Sequence, residues 1–285
     1  MYGQLPSSNK WSEKIFASFF WLVAIVVSGF FVWLVADVVV HGVSGLSFEF
    51  LTGHPRRFGT EGGILPMICS TLLILLVALV VAVPLSIATA IYLAEFSRGS
   101  YLSFLIERGL IILASVPSIV FGLFGFAVFC NYLGMGYSIL SGGLTVACMI
   151  LPILIRSIQA GLETVPDEYR QAASALAISR TTTVIKILLP AAAPGLIVGL
   201  VLGIGRVLAE TAALLFTSGS VDRMPGDLFD SGRTLSIHIY KLSDYKAGET
   251  NAYTTALVLL IMLLTINLFA ITITDRLLKR RVNVI

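Results

Sequence analysis

Residues 194–210 read PGLIVGLVLGIGRVLAE, an apolar stretch of membrane-span character that carries an arginine and a glutamate. Successive residues of an α-helix turn by about 100°, so Arg206 and Glu210 fall on one helix face. Three glycines share that face: Gly195, Gly199 and Gly203. Because a glycine stripe lets a second backbone approach closely and a lone charge among lipid tails is costly, the charged pair is predicted to face protein or a water-filled path.

Two interpretations of this pair remain open. In the first, Arg206 and Glu210 form a structural ion pair that fixes the register of the helix. In the second, Arg206 contacts a substrate on a transport path, since ionisable residues inside membrane spans are rare and are usually functional. The planar guanidinium suits an oxyanion such as phosphate. Glu210 cannot attract an anion, and we interpret it as the counter-charge that orients Arg206 when the path is empty.

The composition of the whole chain is that of a protein embedded in a lipid bilayer. Hydrophobic residues make up 57% of it and charged residues 12%, and the mean hydropathy is +0.94. A soluble domain carries about twice that charged fraction. We therefore expect one transmembrane domain over residues 1–285. The net charge of +3 is small and gives no indication of a nucleic-acid partner.

Six apolar runs are long enough to be transmembrane helices, so the predicted fold class is all-α. The predicted spans are 15–40, 64–93, 110–132, 139–158, 191–217 and 253–274. In the third span, Ser115 and Ser118 flank Val116-Pro117. Their hydroxyls are placed either to repair the hydrogen bonding that the proline disrupts or to line a path.

The distribution of lysine and arginine predicts the orientation of the chain. If the amino terminus lies inside, the inner segments carry about twice as many lysines and arginines as the outer loops. Arg98 and the basic tail Lys279-Arg280-Arg281 are among the inner cations. Both termini are therefore predicted to be cytoplasmic.

The cysteines and histidines do not predict a metal site. The cysteines lie far apart in apolar runs without CxxC spacing, and we interpret them as buried apolar side chains: Cys69, Cys130 and Cys148. The histidines are scattered over outer segments, and we interpret them as surface residues: His41, His54 and His238. The chain also has no Gly-Lys-Ser/Thr phosphate loop, so it is not expected to hydrolyse ATP itself.

The inner link 159–189 contains a predicted amphipathic helix over about 164–177. Thr164 and Asp167 have the spacing of a capping box at its start. Four residues then repeat at helical spacing on one face: Val165, Tyr169, Ala172 and Leu176. This face suits either the groove of a partner protein or the surface of the chain's own helix bundle, and the pattern alone does not decide between them.

This link resembles the coupling loop of ABC-importer permeases, in which Glu-Ala-Ala is followed after three residues by Gly and later by Leu-Pro. The matching residues here are Gln171-Ala172-Ala173, Ala177 and Leu189-Pro190. Gln171 replaces the acidic residue and Ala177 replaces the glycine, so a less sharp turn is expected after the helix. The resemblance implies ATPase contacts from Glu168, Tyr169, Arg170, Gln171, Ala172, Ala173, Leu176 and Ala177.

A closer resemblance is to the A-type membrane subunits of phosphate-specific ABC importers. It is carried by TEGGI (60–64), IYLAE (91–95), SVPSIVFGL (115–123), PILIR (152–156) and GRVLAETAALLFT (205–217). The resemblance implies the fold of a type I ABC importer permease, with six transmembrane helices and a cytoplasmic coupling helix. It also implies that Arg206 and Arg156 matter for phosphate passage, with Glu210 as the partner of Arg206.

The same resemblance implies the partners of the chain. They are a second permease subunit of the C type, a dimer of ATP-binding subunits and an extracytoplasmic phosphate-binding protein. ATP and Mg²⁺ would be held by the ATPase, and this chain would bind no cofactor.

Four alternatives stay open. The transported anion could be another oxyanion, such as sulfate or molybdate. A secondary transporter should show paired broken spans in two repeated halves, and no repeat is visible in the sequence. A membrane-embedded enzyme would need clustered His, Asp or Ser near one membrane face, and the sequence has no such cluster. Arg156 itself, near the inner end of its span, is equally consistent with a positive-inside anchor.

Overall fold

The computed structural model describes residues 10–97 and 99–282, and almost all of this part is helical. The helices are α1 (Lys10–Val43), α2 (Phe48–Thr52), α3 (Leu65–Ile91), α4 (Tyr101–Ser115), α5 (Ser118–Gly125), α6 (Ile139–Glu163), α7 (Asp167–Ala175), α8 (Arg180–Thr183), α9 (Leu189–Ala191), α10 (Ala193–Ala209), α11 (Ala212–Thr217), α12 (Leu235–Leu242) and α13 (Glu249–Val282). Wider π-helical turns cover Tyr92–Phe96, Phe126–Tyr132 and Val184–Leu188. Two short antiparallel strands, β1 (Pro55–Arg56) and β2 (Glu61–Gly62), form a hairpin.

The predicted number of six spans holds if each bent helix pair is counted as one span. Within the described residues, four helices are long and apolar enough to cross a membrane: Phe16–Val43, Leu65–Phe96, Ile139–Glu163 and Lys246–Thr272. The other two spans are bent, Tyr101–Ser115 with Ser118–Tyr132 by 103° and Arg180–Ala191 with Ala193–Ala209 by 65°. The basic tail reaches the end of α13, whereas Arg98 lies outside the described residues.

The third span is not the continuous helix predicted over 110–132. Helix α4 begins at Tyr101, before the predicted start of this span, and it ends at Ser115. Val116 is extended, with φ −68° and ψ 127°. A proline disfavours the helical conformation of the residue before it, so Pro117 ends α4 and α5 starts in a new direction.

The fifth span, predicted as continuous over 191–217, is also broken. Helix α10 ends at Ala209, and Glu210 is extended, with φ −74° and ψ 129°. Helix α11 then starts at Ala212. The expectation that Arg206 and Glu210 occupy one face of one helix is therefore wrong, because the chain leaves the helix between them.

The bundle is built around α6, which packs along α3 on one side and along α10 on another. The predicted approach of a second backbone to the glycine stripe is confirmed at Gly195, where that backbone is α6, whereas Gly199 and Gly203 face mainly side chains of α6. A β-carbon at Gly195 would lie 2.5 Å from the carbonyl oxygen of Ser157 and 2.7 Å from the Cα of Gly161. Helix α1 packs along α13, and its apolar side chains are otherwise exposed.

The interpretation of His238 as a surface residue is wrong. His238 lies in α12, in the connection between α11 and α13, and its side chain is completely buried. Neither ring nitrogen has a hydrogen-bond partner among the described residues. The ring packs against the hairpin, because a β-carbon at Gly59 would lie 2.4 Å from its Cε1. His41 and His54 are exposed, as predicted.

His238 is expected to make the stability of the chain depend on pH. Burial and the positive charge of Arg233 lower its pKa from 6.5 to about 3. Between these values the unfolded chain binds a proton that the folded chain does not, so stability falls as the pH falls below 6.5. The loss is about 2 kcal/mol at pH 5. In thermal unfolding between pH 7 and pH 5, His238→Leu should show a smaller fall in melting temperature than the wild type, and an equal fall would contradict this.

Candidate functional site

Arg206 lies on an exposed stripe of α10 that is otherwise apolar. Leu202 and Val198, one and two turns earlier, are each 53% exposed, and the Arg206 side chain is 46% exposed. The positions beside them face the bundle and are buried: Gly199, Gly203 and Val207. The guanidinium rests against α6, with Nη2 3.8 Å from the sulfur of Met149. A cation thus stands among exposed apolar side chains, with much of its surface free for a ligand.

Glu210 is held by the backbone that follows it. Its carboxylate is 5% exposed, and Oε1 accepts the backbone N–H of Ala213 in α11 at 3.1 Å. Its carbonyl oxygen accepts the hydroxyl of Ser236 at 2.6 Å. Oε2 lies 3.7 Å from Nη2 of Arg206, so the ion pair forms but is long. The carboxylate caps α11 and offers Arg206 a nearby counter-charge without enclosing it.

Arg156 lies on the same side of α6 as Met149. Seven residues separate them, which is about two helical turns or roughly 10 Å along the axis. The Arg156 guanidinium donates to the carbonyl of Glu107 at 3.2 Å and to the side chain of Gln159 at 3.3 Å. It borders a groove of about 470 Å³ that also reaches Gly195 and Val198 on α10. Arg156 and Arg206 therefore border one surface, the α6–α10 seam, which we define by Met149, Arg156, Val198, Leu202 and Arg206.

The serines of the third span lie at its bend. Ser115 ends α4 and donates its hydroxyl to the carbonyl of Ile112 at 2.7 Å, a local helix bond. Ser118 begins α5, which packs on α11, because a β-carbon at Gly122 would lie 2.9 Å from the Cα of Ala213. One turn before Gly122, Ser118 is level with the start of α11. The structure thus places Ser118 on a helix that packs on α11, whereas the hydroxyl of Ser115 bonds within α4.

Two acidic residues near Arg156, Glu107 and Glu163, were not predicted to be part of a site. The amide of Gln159 donates to Glu107 at 3.3 Å and to Glu163 at 3.0 Å. Both carboxylates line a cavity of about 540 Å³ at the C-terminal end of α6. Neither belongs to a recognisable motif, because they come from different helices and converge only in the folded chain. Arg156 therefore sits in a polar cluster of mixed charge at the end of the seam.

The amphipathic helix of the inner link is shorter than predicted. Helix α7 begins at Asp167, with Pro166 before it, so the capping box proposed for Thr164 does not form. The Thr164 hydroxyl instead donates to the carbonyl of Gly161 at 2.8 Å, at the end of α6. Proline at position 166 favours an extended residue before it, which separates the two helices.

Most of the predicted coupling residues are exposed. Tyr169 is 50% and Leu176 is 73% exposed, and the remaining exposed members are Glu168, Gln171, Ala172 and Ala177. Val165 is buried in the bundle, and so is Ala173. The helix thus rests on the bundle through Ala173 and leaves Tyr169 and Leu176 uncovered.

Arg170, for which the resemblance implies an ATPase contact, does not belong to the exposed face. Its side chain is 19% exposed, and its Nη2 donates to Glu95 at 2.6 Å. Hydrogen bonds to Glu95 raise the pKa of Arg170 above its ordinary value. Glu95, within IYLAE, was not predicted to have a role, although an acidic residue at the end of an apolar span was the available signal.

The turn after α7 is sharp despite the alanine at its glycine position. Ala177 adopts φ +54°, the left-handed conformation that favours glycine. The backbone N–H of Ala177 donates to Ser174 and that of Ile178 to Ala173, at 3.0 and 2.9 Å. The expected loosening of this turn is therefore wrong, because the capping hydrogen bonds form without a glycine.

Sequence comparisons place the chain among membrane transport subunits. Residues 82–283 match the family described as "Binding-protein-dependent transport system inner membrane component". The chain is 31% identical to a probable ABC transporter permease protein, YqgI, of Bacillus subtilis, over 92% of this chain and 95% of that one. It is 33% identical to the phosphate transport system permease protein PstA 1 of Mycobacterium tuberculosis, over 95% and 91%.

Solved structures show the same fold at low sequence identity. A bacterial ABC transporter involved in the import of alginate gives a TM-score of 0.61 at 15% identity, covering 94% of this chain and 99% of that chain. An inward-facing MetNI methionine ABC transporter gives 0.53 at 15% identity, covering 77% and 94%. The predicted type I ABC importer permease fold is confirmed. The chain is a multi-pass membrane protein, and it belongs to the family of binding-protein-dependent transport system inner membrane components.

Proposed function

We propose that this chain is the A-type permease subunit of an ATP-driven importer of inorganic phosphate. Its likeness to relatives named as phosphate transport system permease proteins supports the substrate. The observation that carries the proposal is the half-exposed guanidinium of Arg206 on an apolar stripe of a membrane helix. Such a charge is costly against lipid, so a protein partner or a water-filled path must cover this stripe.

Two cationic side chains of the α6–α10 seam, Arg206 and Arg156, can bind the anion in succession. Arg206 can present two parallel N–H donors to one phosphate, because its pair with Glu210 is long and leaves donors free. Arg156 lies two turns of α6 beyond Met149, the residue that Arg206 touches. An anion that leaves Arg206 can therefore meet a second cation before the acidic cluster at the end of the seam. The position of Arg156 near the inner end of its span also fits the alternative role, an anchor under the positive-inside rule.

Relatives named as phosphate transport system permease proteins support the partners that we propose. A second permease of the C type covers the seam, and the two chains form the pathway together. A dimer of ATP-binding subunits holds the exposed face of α7, and an extracytoplasmic phosphate-binding protein delivers the anion at the opposite end. ATP and Mg²⁺ reside on the ATPase, whose closure moves the two permeases between outward- and inward-open states. This chain binds no cofactor and catalyses no reaction.

The orientation is set by the side on which the ATPase binds. Helix α7 then lies in the cytoplasm of a bacterial cell, together with Arg170, Arg180 and Lys186 of the same connection. With six spans, we propose that both chain termini lie on that side as well. The excess of lysine and arginine in these segments supports this orientation.

Uptake of radiolabelled phosphate by the complete complex in proteoliposomes tests the proposal. We expect uptake that requires ATP inside, the binding protein outside and this chain in the membrane. Unlabelled phosphate should compete, whereas sulfate and molybdate should not. If sulfate or molybdate competed and unlabelled phosphate did not, the transported substrate would be another oxyanion. Uptake driven by an ion gradient without ATP would indicate a secondary transporter, a class known for broken spans such as the two bent ones seen here.

The coupling face of α7 can be tested by Leu176→Asp. Leu176 is 73% exposed in the chain alone, so the substitution should not affect folding. Burying an unpaired carboxylate in the ATPase groove is costly, and we expect at least a tenfold weaker association, measured as the amount of ATPase that copurifies with the permeases. Ser174→Asp, on the other side of α7, adds the same charge and should retain the ATPase. Equal copurification with both variants would contradict the assigned face.

A further inference from the structure

Glu95 connects the segment around the coupling helix to the core of the bundle. It lies in the π-helical turn Tyr92–Phe96 that follows α3. Its carboxylate is 7% exposed and accepts Nη2 of Arg170 at 2.6 Å. Nε of the same arginine donates to both carboxylate oxygens, at 3.3 and 3.2 Å. A buried carboxylate and a fork of donors are thus joined by several charge-assisted hydrogen bonds.

Arg170 also fixes the loop before α7. Its Nη1 donates to the carbonyl of Val165 at 2.9 Å and to Asp167 at 3.0 Å, and its Nη2 donates to the carbonyl of Leu162 at 3.1 Å. The guanidinium therefore ties the end of α6, the connecting loop and α7 to the same carboxylate. A lysine could not replace it, because an ammonium lacks the planar fork.

A second arginine, which follows α7 in the sequence, contacts the same π-helical turn. Arg180, the first residue of α8, donates Nη2 to the backbone carbonyl of Glu95. Its guanidinium also lies 4.8 Å above the ring of Phe96. The segments on both sides of the exposed coupling face thus converge on the turn that ends α3.

We propose that Glu95, Arg170 and Arg180 form a clamp that makes α7 move as one body with α3 and α6, so that force applied by the ATPase reaches the α6–α10 seam. This inference rests on the proposed function and assigns Glu95 as a positioning residue. Helix α3 packs along α6. α6 carries Met149 and Arg156, so the path from α7 to the site of Arg206 is continuous. Without the clamp, α7 can follow the ATPase while the seam stays in place.

The test uses the complete importer with Glu95→Gln, which removes the charge and keeps the size of the side chain. We expect the complex to assemble and to hydrolyse ATP within about twofold of the wild-type rate. Phosphate uptake should fall at least tenfold, so the number of ATP molecules used per phosphate rises by the same factor. Asp167→Asn is the matched control, because Asp167 also pairs with Arg170 but is 71% exposed, and it should change this ratio less than twofold.

Further variants separate a positioning role from a role in folding. Arg170→Gln should uncouple hydrolysis from uptake as Glu95→Gln does, and the double variant should be no worse than the more severe single variant. If Glu95→Gln does not assemble, Glu95→Asp retains the charge and shortens the contact, and it should show partial uncoupling. Glu95 variants that assemble and keep the wild-type ratio would overturn the proposal, and so would additive losses in the double variant.

A distance measurement distinguishes failure of the clamp from failure of the phosphate assignment. Spin labels at Ala88→Cys in α3 and Ser174→Cys in α7, with the native cysteines replaced by alanine, report whether the two helices move together. In the complex with wild-type Glu95, the distance distribution should stay narrow and unchanged on addition of ATP. Glu95→Gln should broaden or shift it. This readout does not depend on the transported anion, and an unchanged distribution in the variant would overturn the clamp even if phosphate uptake is confirmed.

Discussion

Replacing Arg206 with alanine is expected to lower phosphate uptake by the complete importer on the order of 100-fold, about 2.7 kcal/mol, while the complex still assembles. The guanidinium is the charged group of an exposed stripe whose other members are Val198 and Leu202. Its loss leaves the anion without compensation in an apolar environment. Assembly should persist, because the side chain is 46% exposed and makes only a 3.8 Å contact to Met149 and a long pair with Glu210.

Two matched variants test which property of the Arg206 side chain phosphate uptake requires. Arg206→Lys keeps the charge but not the planar fork, so uptake should fall only about tenfold. Leu202→Ala, one turn away on the same stripe, should have little effect. An Arg206→Ala complex that assembles and transports phosphate at the wild-type rate would exclude a role in substrate passage, and the structural ion pair would then be the remaining interpretation.

Replacing Gly195 with leucine is expected to prevent correct folding of the chain. Even a β-carbon there would lie 2.5 Å from the Ser157 carbonyl and 2.7 Å from the Cα of Gly161. The atoms that must move are backbone atoms of α6, so α6 and α10 must separate along the seam. Overpacking of this kind costs about 3 kcal/mol or more. In detergent, we expect most of the protein to aggregate and the remainder to unfold at a lower temperature than the wild type.

Gly205 provides the control on the same helix. A β-carbon there would meet nothing within 4 Å. Gly205→Ala should therefore retain the fold and raise stability by about 0.5–1 kcal/mol, because alanine loses less backbone entropy in a helix. If Gly195→Leu folded as well as Gly205→Ala, the close approach of α6 and α10 would not be the contact that holds the seam together.

The spans and the glycine contact could be predicted from the sequence because their signals are local. An apolar run of sufficient length and a stripe at helical spacing contain the necessary information. The break at Pro117 was less accessible, since prolines also occur inside continuous membrane helices, as Pro84 does in α3. The break at Glu210 has no proline or glycine to mark it, and it is stabilised by the capping of Ala213 and by Ser236 from a distant part of the chain.

Arg206 could be proposed as a site residue from the sequence because charge in an apolar segment is itself the signal. Side-chain direction could not be predicted, because it depends on partners that are remote in sequence. Arg170 turns inward to meet Glu95, 75 residues away, and not outward with Tyr169. His238 is buried because the hairpin at Gly59 covers it, and neither segment alone indicates the contact.

The proposed route of the anion requires that the exposed stripe of α10 lines a water-filled path between two permease subunits. Chemical labelling of Leu202→Cys in the assembled importer measures this, with Val27→Cys on the exposed α1 for comparison. We expect a charged, membrane-impermeant thiol reagent to modify position 202 but not position 27, at a rate that changes when ATP is added. Modification of position 202 only by a lipid-soluble reagent would show that the stripe faces lipid, and it would contradict the proposed route of the anion past Arg206.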